Sequence, residues 1–245
     1  MTSAIGLGGI TVGARAVLRG LRRVLSEPTL RRLSFLPILL TILLYGGILV
    51  LAAYFVGDLV RWVVPQPPSG ELRLGWYVLL ALAYVGVGVL LVVFFLSAVN
   101  LIAGPFYDAI AERILDDKRA PKAPLSFLRA LRVEALWSLS LAPIALTLWL
   151  LALVPVVGVV FATLEALLLG VALATSAAGP ALNATGHGFR DRLLLWRRAP
   201  LLMGGIAVVM GVSALIPVLG LVILPAGVVG ATEALSDARL LDKKA

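Results

Sequence analysis

The sequence predicts an all-α integral membrane protein, and three observations lead to this fold class. Hydrophobic residues make up 61% and charged residues 14% of the 245-residue chain, and the mean hydropathy is +1.05. Soluble domains have about 45–50% apolar and about 25% charged residues, so a soluble, disordered or nucleic-acid-binding chain is excluded despite the net charge of +8. Long uncharged runs alternate with charged segments, and the last two runs share a Pro-x-x-Gly element.

The predicted architecture is a single membrane domain over residues 1–245. It contains two long transmembrane helices and two Pro-x-x-Gly re-entrant helical hairpins, preceded by an N-terminal amphipathic interfacial helix. This last element covers residues 10–26. Its apolar stripe is Val17, Leu18, Leu21, Val24 and Leu25, and its basic stripe is Arg15, Arg19, Arg22 and Arg23. Two such stripes are typical of a helix on the anionic cytoplasmic leaflet, and docking on a soluble partner is the alternative.

Two long transmembrane helices follow, over residues 29–63 and 73–118. The chain carries no charge from Leu33 to Gly57 or from Leu74 to Tyr107. Both runs exceed the about 20 residues that one span requires. Beyond the second run, the helix is expected to continue into the cytoplasm as a charged extension.

The charged extension has acidic residues every four positions, at Asp108, Glu112 and Asp116, and it also carries Arg113. This spacing places the three carboxylates on one helix face. One interpretation is a solvated face with helical ion pairs. The other is a subunit contact or a gate.

The last two uncharged runs, Ala135–Leu164 and Ala199–Thr232, are each too long for one span and short for two. Each contains the sequence Ala-Leu-x-Pro-Val-x-Gly. Proline lacks an N–H donor and glycine adopts positive φ, so each element predicts a turn between two helices. The turn residues are Pro155 and Gly158 in the first hairpin (126–179), and Pro217 and Gly220 in the second hairpin (190–240).

Neither hairpin tip carries the polar residues that a tip in contact with water would have. We therefore expect both hairpins to be re-entrant, with tips buried in protein or near the middle of the bilayer. Two full spans joined by an apolar turn are the alternative. Paired interrupted segments of this kind also indicate a transport pathway.

Lysine and arginine determine the predicted topology. Six arginines precede Leu33, six basic residues lie in Asp108–Glu134, and four lie in Arg190–Arg198. The N- and C-termini, the charged extension and the segment between the hairpins are therefore expected in the cytoplasm. The loop Pro65–Gly70 is expected outside.

The start of the first transmembrane helix is the main candidate binding site. Pro28 fits the first helical turn. The free N–H groups of Thr29 and Leu30 would then lie beside the guanidinium groups of Arg31 and Arg32, and such an arrangement binds anions. Arginines that only contribute to the positive-inside signal are the alternative.

Glu165 lies within an arm of the first hairpin, among apolar residues. An ionisable group at membrane depth is a functional hypothesis by default, although a shallow hairpin would place it near the surface. A helix break is expected at Gly179-Pro180, with the lone histidine, His187, in a loop after it.

The chain has no cysteine and one histidine, and it contains no paired catalytic carboxylates and no nucleotide-binding loop. Enzyme activity, a cofactor and a bound metal are therefore not expected.

Three stretches, in this order along the chain, resemble one known family. They are Pro28–Leu33 with Leu36-Pro37, Asn100–Glu112, and Ile216–Thr232. The family is the CysZ sulfate permeases, part of the wider etoposide-induced-protein family. The Pro105-Phe106 element through Glu112 and the Gly230-Ala231-Thr232 element are the more specific parts of the resemblance.

The resemblance implies two long transmembrane helices and two hemi-penetrating hairpins, assembled as a homo-oligomer in a bacterial inner membrane. It also implies import of sulfate, or a related oxyanion, for cysteine biosynthesis. Carried over by position, the anion would bind the backbone of Thr29 and Leu30 and the side chains of Arg31 and Arg32. The residues expected on the pathway or in a subunit contact are Asn100, Pro105, Phe106, Asp108, Glu112, Arg113 and Glu165.

The rival interpretation is a non-transporting membrane scaffold or homeostasis protein with the same fold. Buried polar groups along one pathway would favour the permease, and an entirely apolar oligomer axis would favour the scaffold. The identity of the anion, and the choice between a passive and an ion-coupled mechanism, stay open from the sequence.

Overall fold

The structure is a computed structural model, and it describes residues 8–65, 67, 71–152, 154, 157–214 and 217–242. These residues form α-helices joined by short connections, and no strand occurs among them. In chain order the helices are α1 (Gly9–Ser26), α2 (Pro28–Val63), α3 (Glu71–Asp117), α4 (Phe127–Ala152), α5 (Gly158–Ala184), α6 (Phe189–Arg198), α7 (Pro200–Ala214) and α8 (Pro217–Asp237).

Three of the described helices, α2, α4 and α5, are long and apolar enough to cross a membrane. A further candidate is the pair α6 and α7, which is bent by 103°. α3 has 47 residues, and the apolar stretch described within it is Arg73–Val87. The chain is thus an all-α membrane protein, as its composition predicts.

The helices pack into two compact units, and unit 2 (Leu36–Pro105) contains most of α2 and α3. Its core is formed by Val56, Val60 and Trp76. The indole N–H of Trp76 donates to the Val64 carbonyl at 2.9 Å, which satisfies a polar group that would be costly to bury alone. Most of α2 is apolar and exposed within the chain, as expected for a helix that faces lipid or another subunit.

Unit 1 comprises Met1–Phe35 and Phe106–Ala245. In it α1 packs along α7 and α8, and α5 packs against α4, α7 and α8. Glycines allow the close approach of α1: a Cβ at position 13 would lie 2.1 Å from the Leu202 carbonyl oxygen, and a Cβ at position 230 would lie 2.2 Å from that of Ala16. Small residues therefore set the distance between these helices.

The apolar stripe predicted for α1 is divided between two faces. Val17 and Val24 are buried in unit 1, whereas Leu18 and Leu25 are each 51% exposed. The division arises because the contact with α7 and α8 uses the small residues of α1 rather than its leucines. The position of α1 in the membrane interface stays a prediction.

Two adjacent glycines of α7 provide a test of this close packing. We expect Gly205→Ala to lower the free energy of unfolding by about 1–3 kcal/mol, because the new Cβ would lie 2.1 Å from the Ile10 carbonyl oxygen. Gly204→Ala is the matched control, since no atom lies within 4 Å of a Cβ there. It should be neutral or stabilising, as alanine favours helix more than glycine does. Unfolding in mild detergent measures both, and equal effects would contradict the close contact.

The first hairpin consists of α4 and α5, which are longer than the sequence indicates. The uncharged run is bounded by Glu134 and Glu165, but a single acidic residue does not end a helix. Both helices extend beyond the run, and α4 and α5 have 26 and 27 residues. Each is long enough to cross a bilayer core of about 30 Å. Length therefore does not require the first hairpin to be re-entrant, and the depth of its tip stays a prediction.

Gly158 allows the backbone to approach closely at the turn of the first hairpin. Gly158 begins α5, and a Cβ there would lie 2.3 Å from the Ala152 carbonyl oxygen. Its φ is not positive, contrary to the expectation for the turn. Pro155 lies outside the described residues.

The helix break expected at Gly179-Pro180 is wrong, because α5 continues through both residues to Ala184. A proline inside a helix removes one backbone hydrogen bond. Packing offsets that loss here, since Gly179 and Pro180 are both buried. The chain turns at Gly186 instead, whose φ of 76° is readily adopted by glycine.

The second hairpin consists of α7 and α8, and a separate helix, α6, occupies the basic segment before it. α7 has 15 residues, fewer than the about 20 of a full span. Pro217 is the first residue of α8 and Gly220 lies in the first turn of that helix, so neither forms the expected turn by itself. Residues 215 and 216, which join α7 to α8, lie outside the described residues.

Cysteine labelling measures the depth of both tips, since the chain has no native cysteine. If the tips are re-entrant, Val157→Cys and Leu219→Cys should resist an impermeant maleimide from either side of the membrane. Ser126→Cys, in the segment predicted to be cytoplasmic, is the control and should react from the inside only. Reaction of a tip from the outside would establish full spans for that hairpin.

Candidate functional site

The start of α2 follows α1 after a single extended residue, Glu27. The N–H of Arg31 donates to the Glu27 carbonyl at 2.9 Å. The N–H groups of Thr29 and Leu30 therefore precede the first hydrogen-bonded turn of α2, at positions where helix N–H groups have no intrahelical partner.

The predicted anion-binding residues at this helix start differ in their exposure to solvent. Leu30 is fully buried, which fixes the start of α2 in unit 1, whereas Thr29 is exposed. Arg31 and Arg32 are both exposed and have no ion pair among the described residues. Their guanidinium groups are therefore available to an external anion.

Glu27 is the carboxylate next to this helix start, and it forms ion pairs with two arginines. Its oxygens lie 3.5 Å from Arg23 Nε and 3.3 Å from Arg113 Nε. Arg23 also forms ion pairs with Asp117 and, at 2.6 Å, with Glu233. This network joins the α1–α2 junction to the ends of α3 and α8, and it reduces the repulsion that Glu27 would exert on an anion.

The charged extension of α3 pairs with other segments rather than along its own helix. Arg113 contacts Glu27, and Asp116 lies 2.5 Å from Lys122 Nζ. Glu112 is exposed. Ion pairs between Arg113 and the carboxylates of its own helix, one of the two interpretations from the sequence, do not occur among the described ion pairs.

The remaining predicted residues lie on α3 and α5 rather than on α2. Pro105 is exposed and Phe106 is half-buried, both within α3. Asn100 also lies in α3, and its side chain is outside the described part of the structure. Glu165 is half-buried on α5 and has no ion pair in the described part of the chain.

A polar cluster that the sequence analysis missed lies where α4, α5 and α6 meet in unit 1. Arg192 is fully buried, and its Nη1 donates to Glu134 Oε2 at 2.7 Å. Ser176 Oγ donates to the other oxygen of Glu134 at 3.4 Å. The Nε and Nη2 groups of Arg192 have no partner among the described residues. Gly179 leaves room for this side chain, since a Cβ there would lie 3.1 Å from Nη2.

Asp108 lies beside this cluster, just beyond the uncharged run of α3. Burial raises the pKa of its carboxyl from 3.8 to about 6, and the nearby Glu112 and Glu134 carboxylates add to the rise. Hydrogen bonding by Asn183 and the charge of Arg192 act in the opposite direction. The ionised carboxylate is therefore held in surroundings that disfavour its charge.

The raised pKa of Asp108 predicts a specific pH dependence of stability. The folded state binds this proton more tightly than the unfolded state, so stability falls as pH rises from about 4 through about 6. Asp108→Asn removes the ionisation, and its melting temperature should exceed that of the wild type at pH 8 but not at pH 4. Asp58→Asn, at an exposed carboxylate, is the control and should not show this difference. A pH-independent effect of Asp108→Asn would contradict the shift.

Taken together, these features define a multi-helix membrane protein with a basic helix start and a polar cluster inside one of its units. The family described as sulfate transporter CysZ/etoposide-induced protein 2.4 matches residues 16–225. The match covers most of the chain, and the protein belongs to this family. No curated protein matches the chain.

Proposed function

We propose that the protein is an anion permease of the bacterial inner membrane that imports sulfate for cysteine biosynthesis. Membership of a family described as a sulfate transporter supports the substrate class. The observation that carries the proposal is the exposed pair Arg31 and Arg32 at the start of α2, without carboxylate partners among the described residues.

In this proposal the α2 start replaces part of the hydration of the anion. Guanidinium groups donate charge-assisted hydrogen bonds in a planar fork that fits an oxyanion, and the N–H groups of Thr29 and Leu30 add donors along the helix axis. The repulsion between Glu27 and the anion is reduced, because Glu27 is paired with Arg23 and Arg113. The protein acts by binding and release, with no catalytic step and no cofactor.

The pathway beyond this site is assigned to the charged and polar groups of α3 and α5, within a homo-oligomer. The proposed pathway or subunit-contact residues are Asn100, Pro105, Phe106, Asp108, Glu112, Arg113 and Glu165. The polar cluster of Glu134 and Arg192 beside Asp108 supports a permease, because an apolar interior would be sufficient for a scaffold.

A non-transporting membrane scaffold of the same fold is the second candidate. The large exposed apolar surface of α2 favours it, since such a surface is also suited to binding other membrane proteins. Transport itself separates the two candidates.

Sulfate flux into liposomes tests the proposal. The purified protein, reconstituted into vesicles, should take up radiolabelled sulfate faster than empty vesicles do, and excess unlabelled sulfate should compete. Vesicles that contain Arg31→Ala/Arg32→Ala protein at the same density are the control for leakage. Folded, correctly inserted wild-type protein that gives no more uptake than empty vesicles would favour the scaffold, whereas equal uptake by the wild type and the variant, both above empty vesicles, would contradict the assigned site.

A further inference from the structure

α1 presents three faces, which follow from the turn of 100° per residue in an α-helix. The face on α7 and α8 is buried and consists of Gly9, Gly13, Ala16, Val17, Gly20 and Val24. Next to it is an exposed apolar stripe formed by Ile10, Leu18 and Leu25, each about half exposed. On the far side of this apolar stripe lies a basic row formed by Arg15, Arg19 and Arg22.

The basic row has no counter-charge in the described part of the chain. Its three arginines are exposed, and none forms an ion pair with a carboxylate among the described residues. Arg23, the fourth arginine of α1, differs because it pairs with three carboxylates of unit 1. The spacing of the basic row, three and four residues, aligns its side chains along one side of the helix.

The two surfaces meet at Leu18 of the apolar stripe, which lines a groove on α1 together with Val12 and the three arginines of the basic row. A ligand that covers both must be anionic at one end and apolar at the other. Guanidinium groups bind phosphate through paired N–H donors. Exposed leucine and isoleucine side chains are stabilised by acyl chains rather than by water.

We propose that the basic row of α1 binds the phosphate headgroups of anionic phospholipids, while the apolar stripe contacts their acyl chains. This surface is distinct from the start of α2, and the proposal does not depend on sulfate transport. Because glycines join α1 closely to α7 and α8, the bound lipid would also hold the second hairpin at a fixed depth in the membrane.

Thermal stability of the detergent-solubilised protein provides the test. The probes are dioctanoylphosphatidylglycerol, its zwitterionic phosphatidylcholine counterpart and inorganic phosphate. The anionic lipid should raise the melting temperature of the wild type, because a ligand that binds only the folded state stabilises it. In Arg15→Gln/Arg19→Gln/Arg22→Gln the apparent affinity for this lipid should fall at least about tenfold, since each arginine contributes to headgroup binding. Phosphatidylcholine and inorganic phosphate should have little effect on either protein.

The matched control is Arg190→Gln/Arg197→Gln/Arg198→Gln, which removes equal charge from exposed positions of α6. It should keep the response to the anionic lipid, and Arg19→Glu, a single change in the middle of the basic row, should lose much of it. Equal losses in the two triple variants would overturn the proposal, because the effect would then be diffuse charge. Equal stabilisation by phosphatidylcholine, or by inorganic phosphate, would overturn it too.

Discussion

Replacing Arg31 and Arg32 together by alanine is expected to weaken sulfate binding at least about tenfold, with normal insertion and assembly. Each guanidinium supplies charge-assisted hydrogen bonds worth about 1.5–3 kcal/mol, and about 1.4 kcal/mol corresponds to a tenfold change in affinity. Both side chains are exposed and have no ion pair among the described residues, so their removal leaves no internal charge unpaired. Sulfate binding to the purified protein, with uptake in liposomes, measures the effect.

The matched control is Arg197→Ala/Arg198→Ala, which removes an adjacent, exposed arginine pair from the last turn of α6. The carbonyl groups at a helix C-terminus repel an anion, so this variant should bind sulfate nearly as the wild type does. Arg23 is unsuitable as a control because it pairs with Glu27, Asp117 and Glu233. Equal losses in the two double variants would indicate diffuse electrostatics. No loss in either would contradict the assigned site.

Local features of the sequence predict the fold class, because composition, uncharged runs and charge boundaries are properties of neighbouring residues. The same local reasoning predicts an anion site at Arg31 and Arg32, and both arginines do lie exposed at the start of α2. Local reasoning fails at Gly179-Pro180. Glycine followed by proline predicts a break, but both residues lie buried within the continuous helix α5. Neighbouring helices pack around this part of α5 and keep it helical, and the local sequence does not indicate that packing.

The contacts between helices are the part that the sequence alone does not reveal. Glu134 and Arg192 are 58 residues apart, and each by itself resembles an ordinary charge near a membrane boundary. The packing face of α1 escapes prediction for a related reason. A prediction from hydrophobic residues places the contact at leucine and valine. The α1 contact depends instead on the close approach of backbones at glycines such as Gly13 and Gly230.

Glu134→Leu is expected to lower the free energy of unfolding by about 3 kcal/mol, the lower end of the 3–5 kcal/mol typical when one partner of a buried ion pair is removed. The lower end applies because the Glu134 side chain is 26% exposed, whereas Arg192 is fully buried. Losing Glu134 leaves the guanidinium with no described hydrogen-bond partner, since its Nε and Nη2 already lack one. Chemical unfolding in mild detergent measures the change.

Removal of the arginine should be less costly than removal of its partner. In Arg192→Met the buried charge and its unsatisfied donors disappear together, and Glu134 keeps Ser176 and partial contact with solvent. The double variant Glu134→Leu/Arg192→Met should therefore recover most of the stability lost in Glu134→Leu. Glu165→Leu, at a half-buried carboxylate with no ion pair among the described residues, is the control and should cost less than about 1 kcal/mol. If Glu134→Leu is no more destabilising than Glu165→Leu, or if the double variant recovers nothing, Arg192 does not depend on Glu134 for its burial.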